Sequence, residues 1–227
     1  MAEISDREVL EAALHDSAAT KARIAVCESV AHDLQALGAS LGVGGWLFRD
    51  DWLRGLSMLT QMAGELGSGA VTLLHAELHY PAAALVRQLV EVEYLVVAFD
   101  EDRELAHVWL NSTPDELRKM FSPATMRKRA NGRFRDTEYW THCQTDGHPH
   151  PVGSQLLPNH SNTVADNQWQ RGDLAQHLDR VWRAVQAARS PDSWPSTGNE
   201  EAVLATLAAW HASDPWSRGV ILPSKTP

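Results

Sequence analysis

The chain has 227 residues, a formal net charge of −9 and 44% apolar residues. That apolar fraction argues against wholesale disorder, no uninterrupted apolar run approaches the length needed to cross a bilayer, and the negative charge argues against a broad nonspecific nucleic-acid surface. The start, Met-Ala-Glu-Ile-Ser-Asp, lacks the basic and then apolar segments of a secretory signal, and Cys27 and Cys143 are too few for a disulfide framework, so a cytoplasmic protein without a membrane anchor is expected.

From about Asp6 to Leu37 the chain contains mainly helix formers, with Val9, Leu10, Leu14, Ala18, Ile24, Val30, Leu34 and Leu37 at helical spacing, which predicts one long amphipathic helix. Gly38, Gly42, Gly44 and Gly45 interrupt that pattern and read as a connector; they lack the lysine and strand context of a phosphate loop. A second helix is predicted from about Asp50 to Leu66, and a third segment from about Gly69 to His79. Pro81 suits the first turn of another helix, whose core face would carry Leu85, Leu89, Val92, Val96 and Phe99.

A short helix is expected from Asp100–Asp102 through Trp109. Thr113, Pro114 and Glu116 have the spacing of a capping box with proline at the first helical position, and Ser122-Pro123 repeats the device. Short helices or one broken helix should follow to His142. Residues from Cys143 to about Asp166 include Gly147, Pro149, Pro151, Gly153 and Pro158 and read as an irregular loop, before helices at about Asn167–Arg189 and Asn199–Ala212. No strand pattern is strong enough to build a sheet. The expected organisation is one all-α domain over 1–213, with its loop at about 143–166, followed by an irregular tail over 214–227.

Several residues invite a chemical reading. Arg135 and His142 are seven apart, so a helix would place them on nearly the same face and a cation and an imidazole could address one phosphate. Arg127, Lys128, Arg129, Arg133 and Arg135 concentrate positive charge just before this histidine, and Trp140 is placed to stack a base. Arg87 and Glu91, four apart in an apolar helix, read as an internal clasp or the floor of a site. Glu104-Leu-Ala-His107 has one half of a dimetal-bundle motif, with Glu77, Glu91, Glu93, His75 and His79 as further donors. His142, Cys143, His148, His150 and His160 suggest zinc only loosely, because Pro149 and Pro151 hold His148 and His150 facing apart.

Ala82–Glu91, Asp102–Trp109, Tyr139–His142 and Gly147–Pro151 together resemble an uncharacterised bacterial family with a HEPN-like all-helical domain. The resemblance implies a helical bundle with long antiparallel helices that forms homodimers and, in many members, a metal-independent endoribonuclease of toxin-antitoxin or anti-phage systems. Its signature is an arginine followed after four to six residues by histidine, which Arg135 and His142 match with six between. Arg135 would then hold the scissile phosphate and His142 would act as general acid or base for attack by the 2'-hydroxyl. Arg87, Glu91, Arg133, Tyr139, Trp140, His148 and His150 would line the substrate site. RNA and an antitoxin or other protein are the implied partners, and no cofactor or metal is implied. Two other readings stand beside it, a noncatalytic helical protein binding a partner or small ligand, and a dimetal helical-bundle enzyme.

Overall fold

A computed structural model describes residues 9, 12–13, 15–134, 136–144, 149–157, 164–188 and 197–218, except for the side chains of 136–138, 164–167 and 218. The architecture is an all-α bundle, and no strand occurs among the described residues. Its frame consists of α1 (Ser17–Phe48), α2 (Asp51–His75), α3 (His79–Glu101) and α8 (Val164–Ala188). Between α3 and α8 lie α4 (Glu104–Asn111), α5 (Pro114–Met120), α6 (Pro123–Arg129), α7 (Asp136–His142) and a 3-10 turn at Pro151–Leu156. The helix α9 (Glu200–Ser213) and a second 3-10 turn at Pro215–Arg218 follow.

The glycine-rich segment is not a connector. α1 runs through it to Phe48 and ends at Arg49, whose left-handed backbone (φ 53°) starts a two-residue turn into Asp50, the cap of α2. The physical reason is close packing: a β-carbon at Gly38 would lie 2.5 Å from the Gln61 Cγ, and one at Gly45 would lie 2.8 Å from the Arg54 Cγ. With only hydrogen there, the antiparallel α1 and α2 come near enough for the Ser57 hydroxyl to donate to the Gly38 carbonyl at 2.7 Å. Gly64 meets α1 in the same way, its absent β-carbon lying 2.6 Å from the Gln35 Cγ. The same packing carries α2 without a break through the expected gap at 66–69, so the second and third predicted segments are one helix.

The turn at Ala76–Leu78 falls before Pro81, which sits in the first turn of α3 where an amide hydrogen has no intrahelical partner. The expected caps form: Thr113 and Glu116 make a capping box, and Ser122 accepts from the Thr125 amide. The start expected at Asp100–Asp102 shifts, because α3 continues to Glu101 and α4 begins at Glu104. The loop expected at about 143–166 contains the 3-10 turn with buried Leu156, and α8 already begins at Val164.

α8 packs against α1, α2 and α3 and completes the core, in which Leu34, Leu56, Leu89, Phe99, Leu174 and Leu178 are wholly buried. Arg23 on α1 is sealed at 0% exposure and is answered by Asp214 just beyond α9, with Nε to Oδ2 at 2.6 Å and Nη2 to Oδ1 at 2.8 Å. Trp210 Nε1 and the Trp216 amide also donate to this carboxylate. The chain just after α9 is therefore anchored on α1. Among the tryptophans on the helices, Trp52, Trp182 and Trp210 are buried, whereas Trp46 is 80% exposed.

Two substitutions test this account by thermal or urea denaturation. Gly38→Ala should destabilise by about 1–3 kcal/mol through overpacking despite alanine's better helix propensity, whereas Gly172→Ala, whose new β-carbon would meet nothing closer than 3.7 Å, should stabilise by about 0.5–1 kcal/mol. Equal effects of the two would contradict close packing as the reason for Gly38. Asp214→Ala should cost about 3–5 kcal/mol by stranding the buried Arg23 charge, and a cost below about 1 kcal/mol would refute that role.

Candidate functional site

α7 lies against α3 and brings His142 towards α8, where Asp173 and His177 stand one turn apart on one face. Leu174, Ala175 and Leu178 bury this part of α8, so its polar side chains need partners. His177 is 1% exposed and its Nδ1 lies 2.8 Å from Glu93 Oε2 on α3. A carboxylate only accepts, so the His177 Nδ1–H donates to Glu93 and Nε2 lies on the far side of the ring. His177 Nε2 faces His142 Nε2 at 3.3 Å, and His142 itself is 2% exposed. The Asp173 carboxylate straddles the pair, Oδ1 at 3.6 Å from His177 Nε2 and Oδ2 at 3.7 Å from His142 Nε2.

Ligand atoms of His142, Asp173 and His177 all lie within 4.8 Å of one another, and this is the one such group of three or more His, Cys, Asp or Glu among the described residues. The spacing has a chemical meaning. Two nitrogens bound to one tetrahedral ion at ordinary zinc–nitrogen distances are about 3.3 Å apart, the separation of these imidazole atoms. Glu93 holds the outer nitrogen of His177, as a carboxylate behind a metal-binding histidine does. Asp173, with 17% of its side chain exposed, is the member nearest solvent.

A second cluster lies on the same short helix. Tyr139, one turn before His142, is buried; its hydroxyl accepts from Arg87 Nη2 at 3.4 Å, and the Arg127 guanidinium sits 4.1 Å from its ring centre. Arg87 in turn meets Glu91 at 2.8 Å. Burial would lower the Arg87 pKa, but Tyr139, Cys143 and Glu91 outweigh it and raise it above the ordinary value. Burial raises that of Tyr139, against the opposing effect of Arg87.

The other expected site residues are spread out. Arg133 is exposed and 3.8 Å from Glu101, Trp140 is 57% exposed, and His150 caps the 3-10 turn by accepting from the Val152 amide. Arg135, His148 and His160 lie outside the described residues. His107 of the half dimetal motif pairs instead with Asp51 at the start of α2, at 2.6 Å. Sequence reading named His142 and noted Glu93 as a donor but missed Asp173 and His177. Their signal was present as two ionisable residues four apart, on one face of a stretch that also carries Leu174, Ala175 and Leu178.

No family model, curated protein or solved structure matches the chain. Among the described residues no helix is long and apolar enough to cross a membrane.

The Asp51–His107 pair carries a pH signature. The hydrogen bond between them is the main cause that lowers the Asp51 pKa and raises that of His107. Its stabilising effect should be fully present between about pH 4 and 6.5, fall away as pH drops through the lowered Asp51 value, and fall away as pH rises through the raised His107 value. An NMR titration of His107 in wild type and Asp51→Asn checks this: the wild-type imidazole should titrate at higher pH, and superimposable curves would refute the pairing.

Proposed function

We propose that the protein is a metalloprotein holding one first-row divalent ion, zinc in the first instance, on His142, His177 and Asp173. The observation that carries this reading is the 3.3 Å approach of two buried imidazole nitrogens, one of them oriented by Glu93, beneath a shared carboxylate. Two histidines and one carboxylate form an incomplete tetrahedron, the pattern of zinc sites that keep a position for water or substrate. An ion there would act as a Lewis acid and lower the pKa of a bound water. Asp173, as the most exposed of the three ligands, marks the side from which substrate would approach.

Purified protein, stripped with chelator and titrated with zinc and cobalt, should take up one ion per chain, with the cobalt form showing the visible absorption of a tetrahedral site. Glu93→Gln should weaken binding about 10–100-fold by loosening His177. His177→Ala would leave Glu93 buried without its partner and is expected to disturb folding, so Asp173→Asn, at the solvent side, is the decisive variant. A folded Asp173→Asn protein binding zinc as tightly as wild type would sink the proposal.

The ribonuclease reading is tested beside it. Its support is the run of Arg127, Lys128, Arg129 and Arg133 leading to His142, but a general acid or base must reach the 2'-hydroxyl, and the described His142 Nε2 faces His177. Mixed cellular RNA incubated with wild type and His142→Ala, with and without chelator, separates the two readings. Cleavage that survives chelation and disappears in the variant favours the HEPN-like, metal-independent mechanism, whereas cleavage abolished by chelator and restored by zinc favours the metal centre.

A further inference from the structure

Away from the histidine centre, the outer edges of α2 and α3 leave an open groove of about 590 Å³, also lined by Trp109 of α4. The volume falls within the range of small-molecule sites, roughly 300–1,000 Å³. Its wall is mainly apolar, with Met58 and Met62 each 42% exposed on successive turns of α2 and Leu95 half-buried across from them. Methionine's unbranched, polarisable side chain suits an adaptable surface for ligands of differing shape.

The charged side chains of the groove have one sign, and its other polar members, Gln61 and Gln88, are neutral. Glu65 and Glu91 line it, and no lysine, arginine or histidine does. Glu91 is the telling member: its side chain is about a third exposed in the groove wall, while its Oε1, shut off from solvent, is held by Arg87 Nη2 at 2.8 Å. Arg87 offsets part of the local negative charge from behind the wall, so the carboxylate stays in place while retaining capacity for another donor.

We infer that this groove binds a lipophilic cation, a small molecule with an apolar body and one ammonium or amidinium group, the body lying on Met58, Met62 and Trp109 and the charged end donating to Glu91. The apolar body supplies burial and the single charged end supplies orientation, the division of labour usual in such pockets. The chain's net charge of −9 also attracts cations over a longer range.

Three probes of nearly equal size test the inference by calorimetric titration into the full chain: 4-phenylbutylamine, 4-phenylbutan-1-ol and 4-phenylbutyrate. The amine should bind at least about tenfold tighter than the alcohol, and the carboxylate should bind weakest. Met62→Trp, which fills the groove, should abolish amine binding, and Glu91→Gln should reduce it to the level of the alcohol. Because Glu91→Gln also removes the Arg87 contact, circular dichroism checks its fold, and Glu65→Gln gives a second loss of charge at the rim that should also weaken the amine. Equal affinity for all three probes, preference for the carboxylate, or amine binding unchanged in folded Met62→Trp would overturn the inference. So would a failure of all three to bind together with a changed sedimentation coefficient for Met62→Trp, which would make the groove a contact between two copies of the chain.

Discussion

A helix enclosed by three others can carry a polar side chain only where that side chain meets a partner, and α8 carries several. Gln168 accepts from Arg23, Gln170 lies 2.9 Å from His79 Nδ1, His177 meets Glu93, and Asp179 meets Arg183 and His211. Each unsatisfied member would cost roughly 1–3 kcal/mol, so these contacts together restrict how α8 can slide or rotate in its slot. Apolar packing alone tolerates repacking, whereas hydrogen bonds to α1, α3 and α9 hold to a few tenths of an ångström. The positions of Asp173 and His177 follow from this constraint.

The same logic explains how a short helix can bear a buried histidine. α7 has seven residues and gains little from its own hydrogen bonds, since helices of that length are marginal in isolation. It is held by what it touches: Tyr139 stacks near Tyr94 and under Arg127, and His142 closes against His177. The middle and the C-terminal end of α7 therefore serve different neighbours, an arginine-rich cluster at Tyr139 and an imidazole–carboxylate cluster at His142. A ligand at the His142 cluster would tie α7 more firmly to α8, so occupancy of that site and local order would be coupled.

The helical spacing of apolar residues and the capping signals at Thr113 and Ser122 were legible because both depend on neighbours within four positions. The glycines between 38 and 45 were misread for the complementary reason. In isolation glycine weakens a helix, and only the presence of Gln61, Ser57 and Arg54 on the opposing helix makes its missing side chain an advantage. His142 stood out by its place in a short segment, but its burial did not, because the atoms that cover it come from residues 31 and 35 positions later.

By itself the sequence determined an all-α chain with its caps, its α3 core face, the helical spacing of Arg87 and Glu91, and a run of basic residues just before His142. Tertiary structure alone decided that His142 faces His177 under Asp173, that Glu93 orients His177, that Arg23 and Asp214 meet across 191 residues, and that an acid-bearing groove opens between α2 and α3. The division has a physical cause. Backbone hydrogen bonding and capping in helices act over three or four residues and can be read along the chain, whereas the chemistry of a buried imidazole or carboxylate depends on which distant side chain the packing places within about 3 Å of it.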